Sequence, residues 1–494
     1  MYFTKFIRFF YIALAGLIVV SLASCHAGVT EQSASGYGYG TLLSYNLARS
    51  YSTDDVVNQA NLSICQSLES TSSECLTNLA NLKSDFNFQV SQIKENNLNI
   101  SNISAYNLEY ISQGLTTDGH LNYVPTTMSG TIFVPQTKHL TDIKGIILYY
   151  HPAMYNANEF SSTSNIEDAT AANFAGLYAS QGYIVIMSDL PGYGADGSNM
   201  RPFIYPKVMA LAGINMLKAA NSMFKLIGFD NLPKQPIIIN GFSGGGMIAQ
   251  WASYLLQNNS SYLTDTNAYL SQTILMSGAY DLSGIQFEME SANVTSFNES
   301  SNTFKVNSGA TAAVIKPGMI AFAEFSFINY NPRYKCEDIL AHDFCNFTFG
   351  ESQLNVSNVF MNKGFSTSVI NQIFYAAAEN VPAINPYSIV NNGIGTLTQS
   401  NVLPEFTQAL KSANLTSWTT TTPLTYIYLT RDSVLTPYNS INNYNNLRAT
   451  SDPKLIDAIE IQNDHYYTKL QNILGTIDHT NYMQYIATIS VLRK

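Results

Sequence analysis

The stretch Pro236-Ile237-Ile238-Ile239-Asn240-Gly241-Phe242-Ser243-Gly244-Gly245-Gly246, followed at once by Met247-Ile248-Ala249-Gln250-Trp251-Ala252, leaves the backbone few options. The short β-branched run reads as a buried strand. The Gly-x-Ser-x-Gly reads as a sharp turn, and the alanine-rich segment after it as a helix. A serine held at the apex of such a turn is strained, and residues packed around it must lack side chains. Gly241 and Gly245 meet that need. Ser243 would then stand at the N-terminal end of a helix, where free N–H groups and the helix dipole favour a developing oxyanion. No Lys follows the glycines, and their spacing is not that of a dinucleotide fingerprint, so a phosphate loop is the poorer reading.

The surrounding chain supplies a sheet for this turn. Tyr106 to Gln113 alternates apolar and polar residues, Thr117-Asp118-Gly119 marks a turn, and Met128 to Val134 reads as a second strand stopped by Pro135. Gly145-Ile146-Ile147-Leu148-Tyr149-Tyr150 and Gly182-Tyr183-Ile184-Val185-Ile186-Met187 are continuous apolar runs, as a sheet covered on both faces requires. Helical patterns at Ala169 to Gln181 and Pro206 to Phe224 alternate with them, and further strands are expected at Gln272 to Met276, Pro423 to Thr430 and Leu455 to Ile461. Strands alternating with helices predict an α/β fold with a mostly parallel sheet and helices on both faces. Between about 284 and 420 the rhythm breaks, with helical pieces at Gly318 to Phe327 and Val369 to Ala378, and the sheet pattern then resumes. That segment is expected to form a cap over the C-terminal rim of the sheet.

The N-terminus reads as a targeting segment. Lys5 and Arg8 precede the apolar Phe9 to Val20, and Leu22-Ala23-Ser24-Cys25 resembles a bacterial lipobox, in which the Cys is lipidated after cleavage just before it. The resemblance to enterobacterial lipoproteins implies that His26, in place of Asp, favours the outer membrane. The expected location is therefore the bacterial cell envelope, with acyl chains on Cys25 anchoring the protein to a membrane, or secretion. The expected organisation is a signal peptide over 1–24, a tether and N-terminal helical arm over 25–100, the first part of the core over 101–283, the cap over 284–420 and the second part of the core over 421–494. Beyond Cys25, Cys65, Cys75, Cys336 and Cys345 fall as two close pairs. Cys65–Cys75 and Cys336–Cys345 are the simplest of the three possible connectivities in an oxidising compartment. A net charge of -10 argues against nucleic acid as a partner. No metal constellation, nucleotide fingerprint or other cofactor motif is present, so no cofactor is expected.

Residues 101–494 resemble the α/β-hydrolases, and more narrowly their capped secreted lipases and esterases. Four signals occur in the family's order. His151-Pro152 ends a strand as the family's His-Gly turn does. Asp189-Leu190-Pro191-Gly192-Tyr193-Gly194 is similar to its Asp-x-x-Gly-x-Gly segment. Gly241-Phe242-Ser243-Gly244-Gly245 matches the nucleophile turn, and Asp432 to Pro437 matches the acid turn. The resemblance implies a serine hydrolase acting on a small-molecule ester or lipid, with Ser243 as nucleophile, a histidine as base and Asp432 orienting it. Gly244 is expected to supply the first oxyanion N–H. Pro152 has no N–H, so the second is expected from Ala153. Two histidines follow Asp432 in chain order: His465, just after the last strand, and His479, leading into a helix over Asn481 to Leu492. The resemblance favours His479. His151 is expected to shape the oxyanion loop, and Asp189 to structure its loop by capping or by accepting from backbone N–H groups. A serine peptidase of the same fold, or an inactive envelope binding module, are the competing readings.

Overall fold

A computed structural model of the chain describes residues 38–55, 100, 102–156, 178–286, 294–298, 303–306, 311–339, 345–349, 352–361, 365–379, 404–415, 417–430, 432, 434–461 and 479. The expected signal peptide with Cys25, Cys65 and Cys75, the helix at Ala169 to Gln181 (but for its last residues), His465 and the terminal helix lie outside the described residues.

Among the described residues nine strands form one sheet: β1 (Leu42–Ser52), β2 (Asn102–Leu115), β3 (Tyr123–Gln136), β4 (Gly145–Tyr150), β5 (Tyr183–Ser188), β6 (Gln235–Phe242), β7 (Ala268–Met276), and, after an insertion with four short strands of its own, β12 (Leu424–Tyr428) and β13 (Ile456–Glu460). Their spatial order is β1-β2-β3-β5-β4-β6-β7-β12-β13. β1, β2, β3 and β5 pair antiparallel, and from β5 to β13 every pairing is parallel. The sequence accounts for the split. All six residues of β4 are buried, as are all but one in each of β5 and β6, because helices cover a parallel sheet on both faces. One such helix is α1 (Pro206–Leu226), which starts at a proline that needs no N–H partner there. Another is α2 (Gly244–Asn258), which leaves the sheet directly from β6.

Two expectations are corrected here. The N-terminal helical arm begins instead as a strand, β1, at the edge of the sheet. Two register shifts in its pairing with β2 break the period-2 alternation that would have marked it. The open hydrogen-bonding edge of β2 outweighs the segment's weak local preference. β3 also runs past Pro135 to Gln136. Its pairing with β5 ends at Phe133, so Pro135 has a neighbouring strand on one side only and the missing N–H is tolerated.

Among the described residues, the insertion between β7 and β12 contains two hairpins, four longer helices and a single helical turn at Cys336–Ile339. The hairpins are β8 (Val294–Asn298) with β9 (Thr303–Val306), and β10 (Asn346–Phe349) with β11 (Ser352–Asn355). The helices are α3 (Thr311–Tyr330), α4 (Val356–Met361), α5 (Thr367–Glu379) and α6 (Pro404–Ala413). Cys336 and Cys345 form a disulfide within it. Its aromatic residues Phe322, Phe360, Phe374 and Phe406 pack in one apolar cluster with Phe203, Met247 and Leu435 of the core. Met247 lies one turn beyond Ser243 and Leu435 just after Asp432, so the insertion covers the C-terminal ends of the parallel strands. Asn414 ties its two ends together. The Asn414 side chain donates to Asp281 Oδ1 at 2.6 Å and Ser283 Oγ at 2.8 Å, and accepts from the Leu282 and Ser283 amides at 2.8 and 3.4 Å. All of its hydrogen-bonding capacity is used. After β12, α7 (Pro437–Thr450) is capped by the Thr436 side chain and supports the knot, since Asn439 accepts from the Asp281 amide at 3.0 Å.

Candidate active site

Ser243 sits between β6 and α2 with φ 57° and ψ -125°. A Cβ on Gly241 would lie 2.2 Å from the Gly245 carbonyl oxygen, and one on Gly245 would lie 2.1 Å from that of Tyr150. Glycine is therefore required at both positions to bring the turn against β4. The Ser243 amide donates to Met276 of β7 at 2.9 Å, which fixes the strained residue to the next strand. Leu190 and Ser277, beyond the ends of β5 and β7, also have positive φ. Strain is thus concentrated at the same edge of the sheet, where functional geometry commonly stores it.

Asp432 follows β12. Its Oδ1 accepts from the Val434 and Leu435 amides at 2.9 and 2.8 Å, and its Oδ2 faces His479 Nδ1 at 2.7 Å. His479 Nε2 lies 3.1 Å from Ser243 Oγ. The carboxylate places the ring proton on Nδ1, which leaves the Nε2 lone pair for the serine hydroxyl. All three residues are buried. The imidazole stacks on Phe242 with centroids 4.8 Å apart. Ser243 makes no side-chain cap to its own helix, so Oγ is left to the histidine. Such a chain can pass a hydroxyl proton to imidazole while the carboxylate stabilises the imidazolium.

Gly244 and Ala153 are adjacent: the Ala153 nitrogen lies 3.2 Å from where a Gly244 Cβ would stand. Among the described residues neither amide donates a hydrogen bond, so both N–H groups are available at one spot beside Ser243. The loop carrying Ala153 is braced by His151, whose Nδ1 is 2.7 Å from the Pro152 carbonyl oxygen and whose Nε2 is 3.2 Å from that of Asp189. Burial lowers the His151 pKa and favours the neutral ring, whose single N–H donates to one of these two carbonyls at a time. Asp189 ties its loop to β3: its Oδ2 accepts from the Ser129 hydroxyl at 2.5 Å, and its amide donates to the Ser129 carbonyl.

Two neighbours escaped the sequence reading. Phe242 is the variable residue inside the turn motif, yet its ring is the platform for His479. Tyr193 lies in the Asp189 to Gly194 segment, yet its hydroxyl donates to the Met154 carbonyl at 2.5 Å and its ring meets His151 edge-on. An aromatic residue inside each motif was the only signal, and it reads equally well as core.

No protein-family model matches the chain, and no curated protein does. Among solved structures, the rice cell wall degrading esterase LipA from Xanthomonas oryzae superposes with a TM-score of 0.58 at 15% identity, covering 92% of this chain and 97% of that one. A hydrolase candidate from Legionella pneumophila gives 0.61 at 15% identity, covering 92% and 96%. Candida antarctica lipase A in its closed state gives 0.50 at 13% identity, covering 91% and 80%. The chain has the α/β-hydrolase fold.

Proposed function

We propose that the chain is a serine hydrolase that cleaves carboxylic esters through an acyl-enzyme intermediate. The observation that carries this reading is the buried hydrogen-bonded chain Ser243–His479–Asp432 on a strained turn. The solved structures of the same fold that are described as esterases and lipases support the ester over the peptide reading. In the proposed cycle His479 Nε2 takes the Ser243 proton as Oγ attacks the ester carbonyl. The tetrahedral oxyanion accepts from the Gly244 and Ala153 N–H groups. His479 then returns the proton to the leaving alcohol, and water repeats the sequence on the acyl-enzyme. Asp432 holds the ring throughout.

The test is hydrolysis of p-nitrophenyl esters across acyl lengths by the full chain, beside Ser243→Ala and His479→Ala. Turnover that depends on both residues is expected. Folded protein that neither turns over an ester nor is labelled by a fluorophosphonate would sink the reading in favour of a binding module, and faster cleavage of aminoacyl amides would favour a peptidase. Membrane anchoring through acylated Cys25 is a separate part of the proposal, motivated by Leu22-Ala23-Ser24-Cys25. Mass spectrometry of the mature N-terminus checks it, since an unmodified N-terminus further along the chain would reject it.

A further inference from the structure

The loop after β4 is held from two sides. Residues 151–154 are gripped by the core: His151 against the Asp189 carbonyl, and Met154 by Tyr193. The next two residues are gripped from the insertion. The Tyr155 amide donates to Thr367 Oγ1 at 2.8 Å, at the start of α5, and Asn156 Nδ2 donates to the Phe365 carbonyl at 2.6 Å. Arg201 bridges the two sides. One of its guanidinium nitrogens donates both to the Tyr155 carbonyl and, at 2.7 Å, to the Phe360 carbonyl of α4. The Tyr155 ring packs against Phe322 of α3 and Phe360. Residues 151–156 lie in no helix or strand, so these side-chain contacts, rather than a backbone ladder, set their path.

We propose that the insertion sets the oxyanion hole: Thr367 and Asn156 are positioning residues that hold the Ala153 N–H on target from the insertion side. The inference rests on the serine hydrolase reading above. Ala153 is two residues from Tyr155 in a loop with no backbone ladder, so a shift of α5 is passed to its N–H through Met154. An oxyanion donor displaced by about 1 Å loses much of its value, because the interaction depends on distance and alignment to an atom that bears charge only in the transition state. The docked insertion is therefore the competent state, in contrast to a lid that must leave before chemistry can occur.

The experiment uses the full chain with Thr367→Val, which keeps the shape and removes the acceptor, Thr367→Ser, which restores it, and Asn156→Ala. Asn355→Ala, which removes a local cap elsewhere in the insertion, is the control. For a p-nitrophenyl ester, Thr367→Val is expected to lower kcat about tenfold with KM within about twofold. Binding of a trifluoromethyl ketone, whose adduct with Ser243 presents an oxyanion, should weaken by the same factor. Thr367→Ser should recover both, Asn156→Ala should fall in the same direction, and Asn355→Ala should leave kcat unchanged. Folded Thr367→Val and Asn156→Ala with wild-type kcat and ketone affinity would overturn the inference. So would losses confined to KM, or reproduced by Asn355→Ala. Should Thr367→Val not fold, Asn156→Ala decides. Failure of the underlying reading is distinguishable: there the wild type itself shows no turnover, or turnover survives Ser243→Ala.

Discussion

Two buried carboxyl groups in this molecule live in opposite circumstances. Asp432 at the end of β12 is surrounded by donors, two backbone amides and the His479 ring. Glu324, in the middle of α3, is fully buried, and among the described residues neither of its oxygens has a hydrogen-bond partner. It shares a helix face with Ile320 and Phe327, one turn to either side, and Phe327 packs on Phe406 of α6. Burial alone pushes the Glu324 pKa well up. The core therefore places its acid where donors converge and makes it part of a polar chain. The insertion carries one inside an apolar helix pair at the expense of its own stability. The contrast separates polar groups that a site needs from one that the insertion tolerates.

The comparison breaks most visibly at the serine. Ser243→Ala or His479→Ala should each cut kcat by about 10⁴-fold or more, with little change in fold, because the residues act as one unit. Steady-state kinetics with circular dichroism as the fold control measures this. Asp432→Asn should keep the shape but disturb the tautomer of His479, lowering kcat about 10³- to 10⁴-fold with KM little altered. If it lost no more than a few-fold, the donors around Asp432 would be structural and the contrast with Glu324 would collapse.

Stability is the next readout. Asn414→Ala removes the four side-chain hydrogen bonds that join Asn414 to residues 281–283, and should destabilise by about 2–3 kcal/mol in urea unfolding. Glu324→Met should do the reverse, stabilising by about 1–3 kcal/mol near neutral pH, since a buried polar group without a partner is replaced by an apolar one of similar size. The sign with pH follows from the raised folded-state pKa. Below about pH 4.5, the ordinary value, the carboxyl is neutral folded or unfolded, and pH has no leverage through it. As pH rises above that value the unfolded chain ionises first, so the wild type loses stability. The advantage of Glu324→Met should widen between pH 4 and pH 8 in paired melts. A gap that did not change with pH would show that Glu324 finds a partner in solution.

Much of the core was legible because its signals are local. The wholly buried strand β4 appears as an unbroken apolar run, β6 as the run Ile237-Ile238-Ile239 ahead of its turn, and α1 as a long apolar segment that begins at Pro206. Ser243 was legible because its turn demands glycine at fixed offsets, a constraint that operates within five residues. β1 was not, since its bulges erase the alternation and its strand character comes from the edge of β2. Nor was the second support of the oxyanion loop, because Thr367 and Tyr155 lie 212 residues apart.

What the sequence by itself determined is the strand, strained turn and helix at 235–258, the parallel block around it, and the candidates Ser243 and Asp432. Backbone sterics and burial on both faces write those into short stretches. Only the tertiary structure decided that His479 reaches Ser243, that Phe242 supports its ring, and that the Ala153 loop is shared between core and insertion. A hydrogen bond between distant residues depends on where two elements dock, and docking is set by the summed packing of the whole molecule rather than by any segment's own preference.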